Sequence, residues 1–193
     1  PCISIDTDGE DRWIERDYSD DVSQLTAHEL RQRIREAGIV GLGGAGFPSF
    51  IKLNPGVHHH VDTLILNGVE CEPYITCDDM IMRERAQGIM DGIEVMQQAL
   101  HVKNCVIAIE DNKPEAISAM ELALASREQL KDTKIVVIPT RYPAGSEKQL
   151  IQTITGKQVP TRGLTLDIGI VLHNVGTAYA VGRAIKHGEP LIS

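Results

Sequence analysis

Thr63-Leu64-Ile65-Leu66-Asn67 decides how this chain is read. It is a short, continuous apolar run ending on a polar residue, with no alternation in it. A strand of that kind is buried on both faces, as in a parallel sheet covered by helices. Three further runs of the same character follow, at 102–109, 134–138 and 168–172. Helical patterns separate them. Residues 76–101 place Ile89, Ile93, Met96 and Leu100 at helical spacing behind a Thr76-x-x-Asp79 cap. Gly88 and Gly92 lie on a neighbouring face, where another backbone can approach. Pro114 opens a helix that reaches about residue 126. Ser146-x-x-Gln149 caps another, with Leu150, Ile151 and Ile154 inward, and residues 175–186 form the last. Upstream, Thr26-x-x-Glu29 is a capping box with Leu25 and Leu30 as its staple. Leu30, Ile34 and Ala37 form the buried stripe of that helix, and Gly38 closes it. Strands alternating with helices predict an α/β domain: a mostly parallel sheet with helices on both faces.

Composition agrees and removes some function classes. The chain has 193 residues, 42% hydrophobic and 24% charged, enough for one domain with a real core. Net charge is −8 and no basic stripe stands out, which argues against nucleic acid as a partner. Four cysteines, none in a Cys-x-x-Cys pair, are too few for a disulfide scaffold, and no zinc or other metal centre is expected. His58-His59-His60 reads as an exposed loop, for want of a flanking carboxylate or cysteine at a useful spacing. No stretch approaches the roughly 18 apolar residues that span a bilayer. The chain opens mid-pattern without Met, so we read it as a piece of a longer protein. Residues 1–22 are taken as the tail of a preceding β module plus a linker, and 23–193 as the α/β domain.

Ligands of such sheets bind beyond the carboxyl ends of the strands. Asn67, Glu110-Asp111-Asn112, Arg141-Tyr142-Pro143 and His173-Asn174 stand there. Ahead of the first strand, Gly41-Leu42-Gly43-Gly44-Ala45-Gly46-Phe47-Pro48 fits G-x-G-x-x-G by letter but follows a helix, not a strand. Its physical content survives. Residues without side chains let N–H groups turn toward an anion, a helix after Pro48 adds its positive end, and Lys52 adds a cation. The alternative is a glycine-rich surface turn. Glu70 and Glu72, fixed by Pro73, can face a ligand's hydroxyls or lie in a solvated loop. Glu147 sits in a first helical turn, where the helix dipole favours a carboxylate in any case. Asn174 either holds a phosphate or ring edge or simply caps the last helix.

Four segments, taken in order, resemble one family. Gly43-Gly44-Ala45-Gly46-Phe47-Pro48 with Lys52 is similar to the flavin loop of the NADH-oxidising subunit of respiratory complex I. Residues 67–76, 142–150 and 174–178 resemble the C subunit of the Rnf electron-transport complex. The resemblance covers roughly 25–193 and implies a Rossmann-like FMN-binding domain of the complex I flavin-subunit type. It also implies noncovalent FMN held by Gly41, Gly43, Gly44, Gly46, Lys52, Asn67 and Asn174, with Phe47, Glu72 and Glu147 facing the substrate NADH. Hydride passes from NADH to flavin, and no protein nucleophile or base is implied. Two 4Fe-4S clusters are expected only in a cysteine-rich part beyond this segment, because their ligand run is absent here. The other Rnf subunits are the expected partners, and the expected place is the cytoplasmic side of the bacterial inner membrane, peripherally bound. Three positions depart from the complex I pattern. Val69 stands for an Asp, His173 for an Asn, and Leu42 for an Arg. The alternatives are a cobalamin-reductase flavin subunit of a propanediol-utilisation pathway, or a non-catalytic scaffold of the same fold.

Overall fold

The computed structural model describes residues 3–10, 12, 15–19, 21–56 and 59–192. Cys2 and His58 lie outside them. Four strands, β1 (Thr63–Gly68), β2 (Asn104–Glu110), β3 (Thr133–Ile138) and β4 (Ile170–Asn174), form one sheet. All three pairings are parallel, in the order β3-β2-β1-β4. The chain therefore builds outward from β1 through β2 to β3, then returns to place β4 on the other side of β1. The reversal leaves a crevice beyond the ends of β1 and β4, the position at which such sheets bind ligands.

Both faces are covered, unequally. Leu64, Leu66, Ile107, Ile109 and Val171 share one apolar core with the helices α1 (Ala27–Glu36), α4 (Ala86–Leu100), α5 (Pro114–Ala125) and α7 (Val175–His187). Ile65, Ala108, Ile170 and Leu172 point the other way, onto Leu150 and Ile151 of α6 (Glu147–Thr155). Register explains the split: Leu64 lies beside Cys105 and Val171, and Ile65 beside Val106 and Leu172, so each row faces one side. The α/β reading with helices on both faces holds.

The seam between α4 and α7 is built from small residues. A Cβ on Gly92 would come within 1.8 Å of the Ala178 carbonyl oxygen, and one on Gly182 within 2.7 Å of that of Gly88. The close approach expected at Gly88 and Gly92 is present. The Thr26–Glu29 capping box is also formed, with the Glu29 amide donating to Thr26 Oγ1 at 3.2 Å and the Thr26 amide to Glu29 Oε2 at 2.7 Å.

Four local expectations change. Residues 76–101 are two helices, α3 (Cys77–Glu84) and α4, broken at Arg85, whose φ of −133° is not helical. No proline or glycine marks the break. Past the break α4 presents Gly88 and Gly92 to α7, while α3 packs mainly on α5. Thr76 makes no capping hydrogen bond. The Glu70 carboxylate does so from a distance, accepting from the amides of Asp78 at 2.9 Å and Asp79 at 3.3 Å. An ionised acceptor out-competes a hydroxyl for those amides. Ser146 likewise makes no side-chain cap on α6. Residue 168 closes a 3-10 turn, and Gly169, at φ +74°, separates that turn from β4.

Candidate functional site

At the end of β1 the chain passes from Asn67 into Val69 and Glu70. At the end of β4 it passes through His173 and Asn174 directly into α7. Between these ends lies a cleft of about 740 Å³, within the size range of small-molecule and cofactor sites. The glycine loop forms one wall, with Gly41, Gly43, Gly44 and Phe47. The β1 exit contributes Asn67 and Glu72, and the turn into α6 contributes Tyr142, Gly145 and Glu147. Lys52, His173 and Asn174 complete it. Of the ten FMN and NADH residues that the resemblance implies, only Gly46 falls outside this lining.

The loop is set by its two ends. The Gly41 amide donates to Phe47 O at 2.8 Å, and the Leu42 amide to Thr177 Oγ1 at 2.9 Å. Those two N–H groups close the loop and tie it to α7. Among the described residues, the amides of Gly43, Gly44, Ala45 and Gly46 make no hydrogen bond of normal geometry to a protein acceptor. Gly44 and Gly46 have φ of +96° and +60°, which L side chains rarely adopt. The helix expected after Pro48 is α2, a single turn of four residues (Ser49–Lys52), too short to carry much dipole. Attraction for an anion must come from loop amides and from Lys52.

Lys52 is engaged in this state. Its Nζ lies 2.9 Å from Glu147 Oε1 and donates to the Leu172 carbonyl at 2.9 Å. The two residues assigned to different ligands therefore hold each other. Asn67 is also engaged. It donates to Gly145 O at 2.9 Å and accepts from the Val69 amide at 2.9 Å, which joins the β1 exit to the turn before α6. Gly145 fits there because a Cβ would stand 2.5 Å from Val69 O. Asn174 caps α7, accepting from the Gly176 amide at 2.7 Å and the Thr177 amide at 3.4 Å, and its Nδ2 donates to Asp78 Oδ2 at 2.6 Å. Phe47 and Glu72 are exposed at the mouth.

Three residues outside the ten that the resemblance implies come with this geometry. Asp78 lines the cleft, and burial, the largest effect, pushes its carboxyl up to about 6 despite the Asn174 hydrogen bond. Glu70 also lines the cleft, while its carboxylate serves α3 and lies 3.8 Å from Lys113 Nζ. Glu70, Asp78 and the Cys77 thiol each offer an atom within 4.8 Å of the others, but Cys77 Sγ already donates to Glu70 at 3.2 Å. His173 is 3% exposed, and burial, helped by the Lys52 charge, pushes its pKa down to about 3, so it is a neutral imidazole. Its Nε2 has no partner among the described residues. Sequence offers a signal for Glu70, one of two carboxylates fixed by Pro73, and for His173, a polar residue at the end of an apolar strand, but none for Asp78.

Other strand-end residues do not join the cleft. Glu110, the last residue of β2, is buried with its carboxyl oxygens unpartnered among the described residues, and burial raises its pKa. Asp111 accepts from the Thr140 amide at 3.0 Å and hydroxyl at 2.7 Å and holds the loop after β3. His59 and His60 lie near Asp167 and Asp62, at 3.5 Å and 3.2 Å.

Residues 34–183 match the Nuo51 FMN-binding domain of the Complex1_51K family. The chain belongs to that family. The C subunit of the ion-translocating oxidoreductase complex of Rhodobacter capsulatus is 50% identical over 193 residues, all of this chain and 37% of the relative. The protein of the same name from Serratia proteamaculans is 52% identical over 191 residues, 99% of this chain and 27% of the relative. The chain thus spans between a quarter and two-fifths of the length of these two relatives. The resemblance to the Rnf protein is upheld. A chain of the NAD+-reducing [NiFe]-hydrogenase in the air-oxidised state superimposes with a TM-score of 0.69 at 23% identity, over 84% of this chain and 32% of that one. It supports the Complex1_51K-type fold. Among the described residues no helix is long and apolar enough to cross a membrane.

Proposed function

We propose that the cleft between the ends of β1 and β4 holds FMN, and that the segment serves as the NADH-oxidising entry point of an Rnf-type ion-translocating oxidoreductase. The observation that carries this is the glycine loop. Gly43, Gly44 and Ala45, whose amides make no hydrogen bond of normal geometry to a protein acceptor among the described residues, line a cleft at the reversal of strand order, with Lys52 beside them. Unpaired N–H groups held by glycines are a cradle for a phosphate. The residues present fit the cofactor: the cleft is of cofactor size, and a buried ring nitrogen of His173 on its wall lacks a partner.

In this reading Gly43, Gly44 and Gly46 offer their amides to the phosphate, and Gly41 fixes the loop that presents them. Lys52 leaves Glu147 to meet the anion. Asn67 and Asn174 keep one free N–H each for the ligand while holding the walls in place. Phe47, Glu72 and Glu147 stand at the mouth, where NADH would stack on the flavin. The flavin, when bound, supplies two-electron acceptance and one-electron release. The protein stacks, orients and excludes water. Residues 23–193 make up this domain, and 1–22 are the tail of a preceding module plus linker. The 4Fe-4S clusters that take the electrons onward would lie in the remainder of a longer chain. The other Rnf subunits, on the cytoplasmic side of the bacterial inner membrane, would be its partners. The roughly 50% identity to relatives named as the C protein of such a complex favours this over a cobalamin-reductase role or a scaffold without cofactor.

The test is an anaerobic titration of the chain with FMN followed by NADH. Saturable quenching of flavin fluorescence, then bleaching of the oxidised-flavin absorbance on adding NADH, is expected. No quenching at any FMN concentration would remove the cofactor assignment. Quenching without bleaching would remove NADH as the donor to this segment.

A further inference from the structure

Charge in the cleft is lopsided. Among the described residues lining it, Lys52 is the one lysine or arginine, while Glu70, Glu72, Asp78 and Glu147 bring four carboxyl groups. A phosphate entering this cleft has one side-chain ammonium or guanidinium to meet, and that cation is taken. Lys52 closes α2, Glu147 opens α6, and their side chains meet at 2.9 Å with 33% and 42% of their surface exposed. The Leu172 carbonyl of β4 accepts from the same Nζ at 2.9 Å. The ammonium has a third N–H to offer, but two anions on one ammonium stand roughly 5 Å apart and repel each other. A phosphate and Glu147 are therefore rivals for Lys52. The fold makes the exchange easy on both sides. Leu172 keeps the ammonium at the cleft whichever anion it meets. Glu147, in the first turn of α6, is still favoured as a carboxylate by the helix dipole once Lys52 has gone.

We infer that the Lys52–Glu147 ion pair is an autoinhibitory latch, which an anionic nucleotide must open by taking Lys52 from Glu147. The inference rests on the FMN reading proposed above. Glu147, assigned there to the substrate, thereby lowers the affinity of the cleft for its cofactor. A half-exposed ion pair is weak, so the latch sets flavin affinity by a few-fold and does not shut the cleft.

The test uses the whole chain, with FMN as the probe and fluorescence quenching as the readout, in a double-mutant cycle. Glu147→Gln, which keeps the size and an uncharged acceptor, is expected to tighten FMN binding about three-fold. Lys52→Met is expected to weaken binding, and adding Glu147→Gln to Lys52→Met is expected to change nothing further. Glu72→Gln is the control. It removes a charge from the same cleft, has no bond to Lys52 among the described residues, and is expected to tighten binding less than Glu147→Gln does. If folded Glu147→Gln binds FMN no more tightly than the parent, the latch is overturned and the FMN reading stands. If the gain is as large in the Lys52→Met background, or if Glu72→Gln matches it, the carboxylate acts as bulk charge and the latch is again overturned. Where Lys52→Met binds too weakly to measure, the Glu72→Gln comparison decides. Binding by Glu147→Gln but not by the parent would be the latch in its strongest form. If neither binds FMN, the latch and the FMN reading fall together.

Discussion

At the seam of α4 and α7 glycine is required because there is no room, whereas at the mouth of the cleft it is required although there is room to spare. A Cβ on Gly92 would overlap the Ala178 carbonyl, while one on Gly44 would meet nothing within 4 Å. The constraint at Gly44 is its φ of +96° and the amide it presents. One region uses the missing side chain to bring two helices together. The other uses it to hold a loop in left-handed backbone conformations at the cleft, where the phosphate is proposed to bind. The two should therefore fail in different ways when altered.

Gly92→Ala should give the largest effect on stability. The overlap is with backbone on a packed helix, so α4 and α7 must separate, at a cost of about 3 kcal/mol or more. The midpoint of urea unfolding measures it. A loss below about 1 kcal/mol would mean that the seam is not tight. Gly44→Asp should do the opposite, with a stability loss near 1 kcal/mol from the positive φ and a loss of FMN affinity of about 100-fold or more. A carboxylate there stands where the phosphate is proposed to sit. Unchanged FMN affinity in a folded Gly44→Asp chain would break the contrast between the two regions and remove the loop from the cofactor site.

Glu70 sharpens the same comparison, since it lines the cleft yet does a structural task. Its carboxylate replaces the Thr76 cap on α3. Glu70→Ala should cost about 2 kcal/mol in denaturant unfolding, the upper end for a helix cap, with Lys113 also losing its partner. Thr76→Val should cost almost nothing. The reverse result would restore Thr76 as the cap.

The architecture was legible because each of its signals is local. Four unalternating apolar runs and the helices between them sufficed for a parallel sheet, and Thr26 with Glu29 announced a cap that is formed. The cleft was legible through its glycines and strand ends. What sequence could not supply is which polar groups are already engaged. Thr76-x-x-Asp79 has the right spacing for a cap, yet Glu70, six residues upstream of Thr76, reaches those amides first. The resemblance implies Asn174 as a cofactor contact, while the fold gives its side-chain oxygen to α7. The break at Arg85 has no residue of its own to announce it. Each miss is a competition between a neighbour in sequence and a neighbour in space.

Asp78 yields the smallest expected effect and the most specific one. It sits in the first turn of α3, where a carboxylate is usually welcome, yet burial against the cleft pushes its pKa from 3.8 to about 6. Between those values the folded chain keeps a proton that the unfolded chain has released. Stability contributed by that proton is present at low pH and is lost as pH rises from about 4 to about 6. Asp78→Asn removes the titration and keeps an acceptor for Asn174. Relative to the variant, the parent should therefore gain on the order of 1 kcal/mol as pH falls from 7 to 4. Urea unfolding of both proteins at the two values measures the difference. A constant difference would mean that Asp78 is solvated like any surface carboxylate, and that this end of the cleft is open to water. A gain in the parent that disappears when FMN is added would mean that the ligand now holds the carboxyl in one state, which would place Asp78 among the groups the nucleotide meets.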